Sequence, residues 1–136
     1  MIMIRMFCLF IIINFFIVVE CQAGDIMDKC SSKPWTNDTY ACISEESTIL
    51  NKRYEKSFKN LLIKIESEKK FVTNYTELKN DLFLSKKKWE SWIDSECLTE
   101  ADIYEKETRF YGSVYDMCII KKHTSRINYY NNFKFN

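Results

Sequence analysis

The chain has 136 residues, with 20 lysines and arginines against 19 aspartates and glutamates, and a formal net charge of +1. That balance excludes a strongly basic nucleic-acid binder and an acidic tail. Two glycines and one proline are too few for the many turns of an all-β protein, so the composition points to a few long helices.

The start of the chain reads as an export signal over residues 1–23. Arg5 makes the leader basic, and residues 6–19 form an apolar run too short for a comfortable transmembrane span. Cys21, Gln22 and Ala23 place small residues for cleavage after Ala23. Glu20 argues against the competing reading, a lipid anchor on Cys21, because such sites take a small residue there. A retained amphipathic anchor is a third reading. Arg5 and Glu20 cancel, so cleavage leaves the net charge unchanged. Residues 24–136 have the size of one ordinary domain. They keep Cys30, Cys42, Cys97 and Cys118, an even number that predicts two disulfides in an oxidising compartment, secreted or periplasmic. There is no C-x-x-C pair and a single histidine, which argues against structural zinc. No cofactor is expected.

Residues 24–34 show no clear period. Trp35, Thr36, Asn37 and Asp38 then supply a helix start. Cys42, Ile49, Leu50, Tyr54, Phe58, Leu61, Leu62 and Ile65 follow a 3.6-residue period, which predicts a helix over residues 39–67, roughly 40 Å long. Residues 68–73 form the connection. Asn74 and Glu77 have the spacing of a capping box. A second helix runs from residue 75 to about residue 99 through Leu78, Leu82, Trp89, Trp92, Ile93 and Cys97. The short connection makes these two helices antiparallel neighbours. Asn37 and Asn74 each begin a glycosylation acceptor pattern, and both double as helix-start signals.

Trp89 and Trp92 lie on one side of the second helix, and two indoles there predict a structural core anchor rather than a ligand platform. Lys86, Lys87 and Lys88 read as a solvated face whose stems cover the indoles. Residues 98–109 are the least regular. Between Asp94 and Glu107, six acids stand against one base, Lys106. Gly112 and Ser113 mark a break, after which a third helix follows over residues 113–129. Ile119, His123, Ile127 and Tyr130 form its stripe, with His123 read as a half-buried member of it. Residues 131–136 read as a frayed end.

The predicted fold is therefore all-α: a helical hairpin plus a third helix, stapled by two disulfides. The hairpin brings Cys42 and Cys97 to one end, with Cys30 and Cys118 tethered nearby. Geometry leaves the pairing open.

The order of these features resembles the LprI-like lysozyme inhibitor family of small secreted or lipid-anchored bacterial proteins. The resemblance rests on the N-terminal cysteine pair and on Leu50 and Asn51 followed by Tyr54. It continues through Trp89, Trp92, Asp94, Glu96 and Cys97, then Gly112 and Ser113, and ends with Cys118 and Arg126. The chain departs from the family pattern in four places. Ser85 and Lys86 replace an alanine–glutamine pair, Ile93 replaces an arginine, and His123 replaces a threonine. The segment between Ser113 and Cys118 is also shorter than usual. The resemblance implies a compact helical fold with local disulfides, Cys30–Cys42 and Cys97–Cys118. Each would close a loop worth about 3 kcal/mol in the chain-entropy model. It also implies inhibition of a lysozyme.

A nucleophile–base set for a hydrolase is missing. Acid pairs such as Asp94 with Glu96, or Glu100 with Asp102, lie in an exposed connection, whereas glycosidase chemistry needs one carboxyl in an apolar setting. A binding protein, not an enzyme, is the reading the residues support. The acidic segment would steer a basic protein partner such as a lysozyme, with Glu100, Asp102, Tyr104 and Glu105 as the contacts. The alternative is a secreted or envelope interaction protein of the same fold without that activity.

Overall fold

A computed structural model describes residues 22–34 and 36–134. The export-signal residues up to Cys21, and Trp35 at the expected helix start, lie outside the described residues. Among the described residues four α-helices follow one another: α1 (Gln22–Ser31), α2 (Thr36–Ser67), α3 (Tyr75–Ala101) and α4 (Arg109–Asn131). A 3-10 turn, Lys69–Phe71, sits between α2 and α3. No strand occurs among the described residues. None of the described helices is long and apolar enough to cross a membrane.

α2 has 32 residues, so it runs about 48 Å. Its apolar stripe is buried at Leu50, Tyr54, Phe58, Leu61 and Ile65. α3 runs antiparallel to α2: Tyr54 meets Trp89, Phe58 meets Phe83, and Glu66 accepts a hydrogen bond from the Tyr75 hydroxyl. α4 returns parallel to α2, with Leu50 and Ile120 in one cluster and Tyr54 and Tyr130 in another. α4 is the main neighbour of both long helices. The backbones of α2 and α3 make few close approaches of their own. α4 therefore lies against both and floors the hairpin.

Both disulfides join local cysteines. Cys30–Cys42 ties α1 to α2, and Cys97–Cys118 ties α3 to α4, with Cα–Cα distances of 5.5 and 5.4 Å. Cys30 and Cys97 are wholly buried.

Three local expectations are corrected. Residues 24–31, part of the stretch 24–34 in which no period is legible, belong to helix α1. Among its described side chains only Ile26 and Cys30, one turn apart, pack on the core, and two residues are too few to display a period. The helix is held by its disulfide and by an ion pair from Lys29 to Glu46. Asn74 stands at the N-cap of α3 but its side chain makes no capping bond; only its backbone carbonyl is used, by the Leu78 amide at 2.9 Å. Gly112 and Ser113 are no break. α4 already begins at Arg109, where the Thr108 hydroxyl accepts a hydrogen bond from the Tyr111 amide at 3.1 Å. Ser113 is buried, and its hydroxyl closes back on the Arg109 carbonyl.

Candidate functional site

The end of the molecule formed by the α3–α4 connection, residues 102–108, carries half of the acids of that segment, Asp102, Glu105 and Glu107. Ala101 closes α3 fully buried, and its carbonyl accepts the Tyr104 amide at 2.9 Å. Thr108 caps α4, its hydroxyl also donating to the Glu105 carbonyl at 2.7 Å. The Cys97–Cys118 bond clamps the two helices about one turn behind the loop on α3 and about two and a half turns behind it on α4. Glu107 adopts a φ of 65°, the one non-glycine residue in the left-handed region among those described. A side chain there meets its own backbone, so the loop conformation is imposed by what surrounds it.

This loop brings the four expected contacts together. Glu100 is exposed in the last turn of α3. Asp102 is the most engaged, accepting from the Tyr111 hydroxyl at 3.1 Å and pairing with Lys106 at 3.1 Å. Tyr104 sets its ring edge-on to Phe110, with centroids 4.7 Å apart, and Phe110 in turn approaches Tyr40 at 6.2 Å. Glu105 is exposed. Sequence reasoning missed the apolar part of this edge. Ile103 is 78 % exposed, and Phe110 and Leu98 are also open to solvent. Ile103 and Tyr104 interrupt a run of charges, and that interruption was the available signal.

A second concavity lies among the three long helices. It is a trough of about 380 Å³ floored by α4 and walled by α2 and α3. Glu90 and Asp94 stand one turn apart on the α3 wall, facing Asn51 on α2; Tyr115 and His123 rise from α4. Asp94 accepts from the Tyr115 hydroxyl at 2.6 Å. Burial, with that carboxylate beside it, pushes the Tyr115 phenol up to about 12. Glu96, the neighbouring acid, turns to Lys122 at 2.7 Å, so Asp94 and Glu96 do not act as a pair.

His123 is buried more deeply than a half-buried stripe residue. It is 5 % exposed and stacks flat on Tyr54, centroids 4.5 Å apart. Its Nδ1 is enclosed without a hydrogen-bond partner. Burial lowers its pKa, against the pull of Glu90 and Glu55 and with the help of Lys86. Its Nδ1 is not held by a carboxylate as the imidazole of a catalytic triad is. Nor do the described residues hold a group of three or more His, Cys, Asp or Glu able to bind a metal.

The two tryptophans part company. Trp89 is half-buried and packs against two core clusters. Trp92 is 53 % exposed, so it does not belong to the core; Lys122 stands over its ring at 4.9 Å. Ile93, beside it, takes the buried position. Lys86 is also unlike a solvated lysine. It lies inward over Tyr54 and Phe58 and pairs with Glu55 and Glu90. Burial opposes its charge, but the two carboxylates outweigh it and raise its pKa. The cover on Trp89 comes from Arg126, 5.1 Å from the ring.

The family model described as Lysozyme inhibitor LprI matches residues 27–129, which takes in α2, α3, both disulfides, the acidic loop and nearly all of α4. No curated protein and no solved structure matches the chain. With a match across most of its length, and with the helices and local disulfides in place, this chain belongs to the LprI lysozyme inhibitor family.

Proposed function

We propose that the protein is exported and inhibits a lysozyme by covering its active-site cleft with the α3–α4 edge. One observation carries this reading. A loop clamped by Cys97–Cys118 presents Ile103, Tyr104 and Phe110 to solvent within a fringe of carboxylates. An exposed apolar ridge on a fixed loop suits docking, because little conformational freedom is lost on binding. The carboxylates suit a basic partner, since they raise the encounter rate. Tyr104 is the aromatic anchor of this edge, and aromatic anchors carry much of the energy of interfaces. The protein acts by binding and needs no cofactor. Buried disulfides accord with a secreted or periplasmic location.

The test is lysis of bacterial cells by several lysozyme types, with and without the purified protein. Inhibition of a basic lysozyme is expected, and Tyr104→Ala is expected to weaken it by roughly tenfold or more. A protein that spares every lysozyme while folding normally belongs instead to the alternative, an envelope interaction protein of the same fold.

A further inference from the structure

The trough between α2 and α3 is rich in acceptors that the fold leaves without partners. Lys86 and the Tyr54 hydroxyl both engage Glu90 through Oε1, and no bond to Oε2 is made among the described residues. The Tyr115 hydroxyl engages Asp94 through Oδ1, and Oδ2 is likewise left. His123 lies 95 % buried at the floor, and its Nδ1 has no partner. A buried polar side chain left unsatisfied costs free energy, and beside it each of the two carboxylates keeps one oxygen for a donor.

The missing complement is a planar, donor-rich cation. Glu90 and Asp94 are one helical turn apart, roughly 6 Å, a span that the fork of a guanidinium bridges. Ile93 and Ile119 give the wall and floor apolar patches for an aliphatic stem, and the Tyr115 ring offers a stacking face. We propose that this trough binds a guanidinium group, the side chain of an arginine presented by a basic protein partner. Its position favours a partner's side chain. Asp94 lies seven residues before the end of α3, so the trough begins roughly 10 Å along the helix from the acidic loop. A standard interface of about 800 Å² per partner spans both. Assigning the arginine to the protein that docks on the loop rests on the function proposed above; the guanidinium site itself does not.

The experiment titrates the disulfide-bonded protein with L-arginine amide and follows backbone amide shifts by NMR. L-citrulline amide, the uncharged near-isostere, is the control. Saturable shifts are expected around Asn51, Asp94, Tyr115 and His123 with arginine amide, and none there with citrulline amide. Asp94→Asn keeps an acceptor for Tyr115 and is expected to weaken binding by roughly tenfold. Asn51→Lys places a resident cation at the exposed lip and is expected to abolish it, with an unchanged melting temperature. Shifts confined to Glu100, Glu105 and Glu107, an equal response to citrulline amide, or normal binding by Asn51→Lys would each overturn the site. The same variant separates the two readings. If arginine amide binds but no lysozyme is inhibited, the trough stands and the lysozyme assignment falls. If Asn51→Lys inhibits as tightly as wild type, the loop reading stands and the partner's arginine is not in the trough.

Discussion

Tyr54 is the residue on which three helices converge. It is 1 % exposed and contacts the rings of Trp89, His123 and Tyr130, while its hydroxyl donates to Glu90 at 3.3 Å. Burial pushes its phenol far above the ordinary range, so it is a neutral donor at any working pH. The two tryptophans test the packing directly. Trp89→Ala removes a half-buried ring from two clusters and is expected to cost about 2–4 kcal/mol. Trp92→Ala removes an exposed ring and one lysine contact, and is expected to cost about 1 kcal/mol or less. Urea unfolding of the pair checks both values, and equal losses would contradict this packing. His123 yields a pH prediction. Its folded pKa lies below the unfolded value of 6.5, so the unfolded chain binds the extra proton and stability is lost as pH falls through that window. Thermal melts of wild type are expected to decline from pH about 7 to about 5, whereas His123→Gln holds more nearly level over that range. A variant that declines as steeply as wild type would assign the proton uptake to another group.

Among the elements, the α3–α4 connection is the one whose shape is imposed rather than intrinsic. The clamp behind it closes a loop of sequence separation 21, and opening it with Cys97→Ser and Cys118→Ser together is expected to cost about 2–5 kcal/mol. Proteolysis should then start within residues 102–108, which mass mapping of early fragments would reveal. Glu107 offers a change of opposite sign. Its positive φ suits glycine, and relief of that strain outweighs the added freedom of the unfolded chain. Glu107→Gly is therefore expected to raise stability by about 0.5–1 kcal/mol, read from the urea midpoint.

For the whole molecule, a net charge of +1 provides no field that would draw in a basic partner. Steering must come from the loop alone. Asp102 is held by Lys106 and Tyr111, and Glu96 by Lys122, so Glu100, Glu105 and Glu107 are the carboxylates left to act at a distance. Replacing these three by glutamine keeps their bulk. Association with a basic lysozyme is expected to slow and to lose salt dependence, while dissociation changes less. The effect is partly screened already, because the Debye length is about 8 Å at physiological ionic strength. Stopped-flow binding at several salt concentrations measures this, and an unchanged association rate would reduce the loop's charge to a solubility role.

The cysteine count, the scarcity of glycine and proline, and the 3.6-residue stripes determined by themselves that this chain is helical and disulfide-stapled. They placed the ends of the long helices within a few residues, and they located the acidic segment. A repeating stripe records which residues share a face. It carries no information about which face is covered, or by what. That was left to α4. By lying against both helices of the hairpin it buried Ile93 rather than Trp92, enclosed His123 against Tyr54, and put Arg126 over Trp89. Helix α1 was illegible because two core contacts make no period, and its anchor is a covalent bond to another helix. The trough was illegible for a deeper reason. Asn51, Glu90, Asp94, Tyr115 and His123 come from three helices, and only the angle at which those helices part decides whether their polar groups meet solvent, each other, or a space large enough to fill.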